Sequence, residues 1–521
     1  MSLWRWGILL LAGLAAACLA AVWVDAPGYT DADYYYATAR QLAGGAGYDQ
    51  PFIWNYLADP AGIPQPAHLY WMPLTSWLAA APMWLGGQGY RFAQLPFIAL
   101  AAALPLLTAA VALRLTGRPD QALIAGLLAA CSGFFLPFLV TTDAFGPYAW
   151  IGTAAMLTGA SAVGRQGRWR WLAAGALVGL AHLTRADGLL LGLPLAAAAV
   201  TRRDGRLPPL LMLVSGYLLI FGPWALRLMV TSGTPLPPGA SRALWLRMYD
   251  ELFLYPANQL TPQHLLGTGW AAVFGDRLRS LGQNLVSALV VNGLVYQLPL
   301  ALIGGWTLRH RPIVRLVAGY ALLLFLTMSL AFPHPGTRGG FFHSSAAFMP
   351  LLWALSAVGL YASLGWLAPR RGWQAEVAWS RFGWGAVAVA AVASGFLVYV
   401  RLIRPQQAGA GWGSSQAVYA QVGEWLRQHD PGPAPVAVNN PPGFWLATEL
   451  PAVVIPVGGQ PELHRVVRAY GVAWVVLERN HPPGLNDLYA NPASAAHMTY
   501  RDTLNLPGAA PIHLFQVEGG E

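Results

Sequence analysis

With 56% hydrophobic and only 10% charged residues over a length of 521, and a mean hydropathy of +0.45, the chain is too apolar for a soluble protein. It reads as a polytopic helical membrane protein. All 31 basic residues are arginines, and much of the net charge of +9 sits in short arginine clusters between apolar segments, which argues membrane orientation and not nucleic acid. Without lysine, any fixed cation the chemistry needs is an arginine or a protonated histidine.

The first apolar segment covers 6–24. Its run toward Cys18 resembles a lipoprotein signal, but the apolar stretch continues through Val24, so a first membrane helix is expected. Cys18 and Cys131 both lie inside apolar segments and imply no disulfide framework. Next comes Gly28–Leu42, a short amphipathic helix carrying Asp31 and Asp33 in its first turn. Positions i and i+2 point to different sides of a helix. Thr30 or Asp31 can serve as N-cap and the acids suit the helix dipole. The same acids, at the mouth of a bundle poor in carboxylates, are also the leading catalytic candidates, since a carboxylate there can take a proton from an attacking hydroxyl. The pair is also a candidate, if a sparse one, for a divalent cation.

The rest of the 25–91 loop is rich in aromatics, with Trp54, Tyr56, Tyr70 and Trp71 around a Gly-rich turn. Such residues form an interfacial belt or a stacking platform for a sugar or lipid headgroup. Further segments of spanning length lie at about 92–113, 121–141, 146–163, 171–184, 188–201, 208–230, 285–306, 313–332, 341–364 and 383–400, giving about eleven in all. Arg5, Arg114, Arg118, Arg165, Arg168, Arg170, Arg202, Arg203, Arg206, Arg309, Arg311, Arg315, Arg370, Arg371 and Arg381 fall on one side if the N-terminus is cytoplasmic. The loops 25–91 and 231–284 and everything after Arg401 then face outward.

Asp143, at the outer end of the third span, is a structural cap or part of the same site as Asp31. Arg185 and Asp187 are expected to pair locally between two short spans. The stretch Phe332–Ser345 gathers His334, Arg338, His343 and hydroxyls where the chain re-enters the bilayer, a group suited to a lipid-linked phosphate or to a polar turn. From 405 a Gly-rich link leads to alternating elements: a helix over 416–429, strands at 436–438 and 453–455, a helix over 462–470 and a buried strand at 472–477. This pattern predicts a small α/β domain at 405–521, outside the cytoplasm, beside a membrane domain at 1–404. No Walker A loop, dinucleotide fingerprint, HExxH or CxxC pair occurs, so an activated membrane-borne donor fits better than cytosolic ATP.

The order of these features resembles the GT-C superfamily of membrane glycosyltransferases, which includes the protein O-mannosyltransferases and the bacterial aminoarabinose transferases of lipid A. In that group a first membrane helix leads to an outer loop with an acidic motif, matched here by Asp31-Ala32-Asp33-Tyr34-Tyr35 with Arg40 beyond it. The stretches Leu183–Leu190, Pro235–Pro238, Phe342–Ser344 and Pro435–Glu478 are similar to bacterial members. The family's catalytic Asp maps onto Asp31; its second acid is Ala32 here, and Asp33 stands one place later. Where relatives carry a Lys-Pro-Pro motif, this chain has His68-Leu69-Tyr70-Trp71-Met72-Pro73.

The resemblance implies a mainly α, GT-C-type transmembrane bundle and an inverting glycosyltransferase of the plasma (inner) membrane. A sugar would move from a polyprenyl-phosphate donor to a hydroxyl on a lipid, polysaccharide or protein acceptor. Asp31 or Asp33 would be the base, and Arg338, His343, His68 and Arg242 would hold the donor phosphate. Asp143, Tyr35 and Tyr70 complete the candidate site. A lipid-linked sugar or polysaccharide transporter and a non-catalytic membrane scaffold or sensor are the alternatives.

Overall fold

The computed structural model describes residues 1–164, 167–201, 207–429 and 432–517. Arg165, Arg202, Arg203 and Arg206 lie outside the described residues. Among the described residues, six helices are long and apolar enough to cross a membrane: Leu3–Trp23, Tyr90–Thr116, Leu207–Ser232, Pro312–Ala331, Gly340–Arg370 and Ala375–Gln407. Two bent pairs raise the number to eight: Pro119–Ala130 with Gly133–Leu139, turned by 48°, and Trp270–Asn292 with Gln297–Thr307, turned by 91°. The protein is therefore multi-pass, with six to eight candidate spans against the eleven expected. The three remaining segments are helical, at Phe145–Gly164, Arg168–Thr184 and within Ala186–Val200. They are too short, or too diluted by Gly, Ser and Thr, to count by length and hydropathy.

Small residues let the helices approach closely. Where Gln297–Thr307 crosses Met349–Arg370, Gly304 and Gly359 each lie against backbone of the other helix, with no room for a Cβ. Lipid supplies little hydrophobic drive between helices, so packing of this kind holds a bundle together. The 91° turn is made at Gly293-Leu294-Val295, where Leu294 and Val295 both have positive φ, 40° and 66°.

Beside the bundle stands a six-stranded sheet. Its strands are β1 (Phe52–Ile53), β2 (Val436–Val438), β3 (Ala452–Val454), β4 (Trp474–Leu477), β5 (Met498–Leu504) and β6 (Ile512–Val517), in the order β1-β3-β2-β4-β6-β5. β1, β3, β2 and β4 run parallel, β6 pairs antiparallel with β4, and β5 antiparallel with β6. Short all-apolar strands such as Val436–Val438 are buried, as covered parallel strands require. Helix Ser414–Gln428 leads into β2, and helices Pro441–Thr448 and Gln460–Tyr470 connect β2 to β3 and β3 to β4. One strand, β1, comes from the 25–91 loop, so the sheet is not confined to 405–521. The shared core repeats this: Ile53 and Tyr56 pack with Val453 and Val475, and Tyr34 and Phe52 with Tyr419 and Phe444.

Candidate active site

The acidic helix spans Thr30–Ala43. Tyr29, not Thr30 or Asp31, is at its N-cap, and no side chain caps it, so neither carboxylate is spent on the helix end. At about 100° per residue, Asp31 and Asp33 project about 200° apart around the axis. They reach different surroundings.

Asp31 faces the bundle. Its Oδ2 lies 3.9 Å from Nδ1 of His343, on the short helix Gly340–Ser345. Asp143, fully buried in the turn before Phe145–Gly164, completes the group. Tyr29 donates a hydrogen bond of 2.6 Å to Asp143 Oδ2, and Thr142 donates to the carbonyl of Ala32 at 3.1 Å, joining that turn to the acidic helix. Burial raises the Asp31 carboxyl above the ordinary range, and the charge of Asp143 adds to this. One-fifth of the Asp31 side chain stays exposed, and it opens on a cavity of about 350 Å³.

Tyr35, Tyr70, Trp54, Trp71 and Tyr249 line that cavity on the aromatic side. Trp54 and Trp71 stack at 3.7 Å with planes 3° apart. Arg185, Asp187, His334, Arg338 and His343 supply its polar wall. Arg185 pairs with Asp187 at 3.1 Å, as its spacing suggests, and also donates to Ser344 Oγ at 2.9 Å. Arg338 pairs with Asp250 at 3.4 Å and lies over the Tyr249 ring.

Four sequence candidates do not line this cavity: Asp143 lies behind it, beside Asp31, and three others are held elsewhere. Asp33 is fully buried on the other face of the helix and accepts from Asn440 at 2.7 Å and Gln416 at 3.3 Å. Burial pushes its carboxyl up to about 7, against those hydrogen bonds. His68 is buried behind Tyr34, Tyr35 and Trp71, and burial lowers its pKa to about 3, so it is neutral and offers no charge to a phosphate. Arg242 is tied to the Leu57 carbonyl at 2.6 Å and to the Asp59 carboxylate. In turn, the cavity wall includes Arg185 and Asp187, which the sequence reading assigned to a local pair. A charged pair at the end of an apolar helix was the available signal.

The cation expectation also moves. Asp31 and Asp33 point apart, but ligand atoms of Asp31, Asp143 and His343 all lie within 4.8 Å of one another. Two carboxylates and an imidazole match the donor preferences of Mn²⁺ or Zn²⁺.

Comparisons with known proteins bear on the fold. The family model for dolichyl-phosphate-mannose-protein mannosyltransferase matches residues 65–226. A search of curated proteins finds no match. Among solved structures, ArnT from Cupriavidus metallidurans is similar both in the apo state (TM-score 0.60, 16% identity, 98% of this chain and 97% of that) and bound to undecaprenyl phosphate (0.59, 15%, 99% and 98%). The Archaeoglobus fulgidus oligosaccharyltransferase tethered to an acceptor peptide is similar at TM-score 0.56 and 14% identity, over 92% of this chain and 69% of that one.

Proposed function

We propose that this protein, a membrane protein with the fold of the GT-C glycosyltransferases, is an inverting glycosyltransferase using a polyprenyl-phosphate-linked sugar. The acceptor is a hydroxyl on the extracytoplasmic face of the plasma (inner) membrane. The observation that carries the reading is the Asp31 carboxylate, opening on an aromatic-walled cavity beside Asp143 and His343. The arginine bias supports a cytoplasmic N-terminus and an outward cavity and sheet.

In the proposed reaction the acceptor hydroxyl gives its proton to Asp31. The acceptor oxygen bonds to the anomeric carbon opposite the phosphate, and the carbon–oxygen bond to phosphate breaks with its electron pair leaving on the phosphate. A base with a raised pKa is matched to this task near neutral pH. Arg338 and Arg185 on the cavity wall provide positive charge for the departing phosphate. His343 orients Asp31. A divalent cation, when bound, would be held by Asp31, Asp143 and His343 and would supply Lewis acidity, and its charge, in place of the raised pKa, would then keep Asp31 ionised.

The test is transfer in nanodiscs from a panel of labelled polyprenyl-phosphate sugars to a membrane extract, with Asp31→Asn as control. Loss of about 10²-fold or more in the variant, with donor binding kept, is expected. Full transfer by a folded Asp31→Asn protein overturns the assignment. Movement of donor across the bilayer with no transfer would mark a transporter instead.

A further inference from the structure

The parallel part of the sheet has a topological switch point. From β2 the chain runs through Pro441–Thr448 to β3 on one side, and then through Gln460–Tyr470 to β4 on the other. In open α/β sheets the crevice at the carboxyl ends of such diverging strands is where ligands bind. Here the residues at those ends are Asn439 and Asn440 after β2 and Glu478 after β4. Glu478 accepts from Tyr419 at 2.7 Å, on the helix that also carries Gln416.

The crevice holds part of the same chain. Asp33 enters it from the acidic helix, with no exposed surface, and takes the amide hydrogens of Asn440 and Gln416. Gly443, in the first turn of Pro441–Thr448, keeps room for the pair, since a Cβ there would lie 2.6 Å from Asn440 Nδ2 and 2.8 Å from Asp33 Oδ2. Other ties act along the same helix and its approach. Arg40 pairs with Glu449 at 2.8 Å and covers Trp445, while Trp412 donates to the Pro27 carbonyl at 2.9 Å.

We propose that Asp33 is a positioning residue: seated in the switch-point crevice of the C-terminal sheet, it fixes the rotation of the acidic helix so that Asp31 faces the cavity. The proposal rests on the reading of Asp31 as the base. It gives the sheet a part in catalysis without contact with substrate. The helix is buried from Ala32 to Ala39, and apolar packing of that kind tolerates small rotations that a directed hydrogen bond does not. One face is held by Asp33, and the opposite one carries the reacting carboxylate. A displacement of about 1 Å at a reacting group costs about 10²-fold in rate.

The test is a donor–acceptor exchange. Asp33→Asn removes the carboxylate, and Asn440→Asp returns one to the same contact from the other side. Aspartate at 440 also keeps the N-cap role, in which Asn440 accepts from the Gly443 amide. In the transfer assay Asp33→Asn is expected to lower kcat by about 10- to 100-fold with donor KM unchanged, and the double exchange to recover most of it. Gly443→Ala, a change that favours the helix, is the second variant and is expected to lower kcat in the same way by crowding Asp33 out.

Hydrogen exchange of Thr30–Ala43 should quicken in Asp33→Asn and Gly443→Ala and slow again in the double exchange. This readout does not depend on glycosyl transfer, so it separates failure of this proposal from failure of the proposed reaction. An unchanged kcat in Asp33→Asn overturns the proposal. So does loss without recovery in a folded double exchange, which would make Asp33 a reacting group itself.

Discussion

Two carboxylates two residues apart reach different surroundings because a helix turns them apart. That separation was legible in the sequence, as was the placement of Asp31 near the mouth of the bundle. The destination of Asp33 was not, because Asn440 lies 407 residues away and asparagine carries no pattern of its own. His68 was misleading for a related reason. A histidine beside aromatics reads equally as a ligand or as core, and its burial decides the matter. Glu478 gives a pH test at this scale. Burial raises its carboxyl from 4.5 to about 7. The sign follows: the folded state holds the proton more tightly, so stability is fully present below pH 4.5 and falls as pH rises toward about 7. Glu478→Gln removes that loss while keeping an acceptor for Tyr419. Thermal unfolding should show the variant gaining on the native protein between pH 5 and 8, by up to roughly 2–3 kcal/mol.

Among the elements, long apolar helices were found in nearly the expected places, since hydropathy needs only composition. The broken ones were not seen. A turn of 91° at Gly293-Leu294-Val295 lies within an apolar run and changes no hydropathy window. The strands divide in the same way. Val436–Val438 and Trp474–Leu477 are all-apolar and were read closely, whereas β5, with Arg501 and Asp502 in it, β6, with His513 and Gln516 in it, and the two-residue β1 were missed. β1 exists only through its pairing with β3, a long-range ladder that local pattern does not contain. Ile53, fully buried, is its anchor. Ile53→Ala is expected to destabilise the protein by about 2–4 kcal/mol, and amide exchange should rise in β3 as well as in the first loop. Protection of β3 unchanged would mean that β1 is only an appended edge.

At the scale of the whole molecule, the 25–91 loop is the joint between bundle and sheet. Composition divides the chain at 405, but the cores cross that line through Tyr34, Phe52, Ile53 and Tyr56. A fragment of 405–521 alone would leave the β3 edge unpaired and those apolar side chains uncovered, which invites association. In sedimentation it should self-associate, and a peptide covering 49–66 should reduce this. A monomeric, well-dispersed fragment without the peptide would show that the sheet folds independently.

The stacked indoles of Trp54 and Trp71 also make the protein its own optical probe. Two parallel rings 3.7 Å apart couple their electronic transitions, and both rings face the cavity. Circular dichroism in the near ultraviolet therefore reports on what enters it, with no label attached and no turnover required. Titration with a polyprenyl phosphate should change that signal in native protein and leave it unchanged in Trp71→Phe. Occupancy can then be followed separately from chemistry.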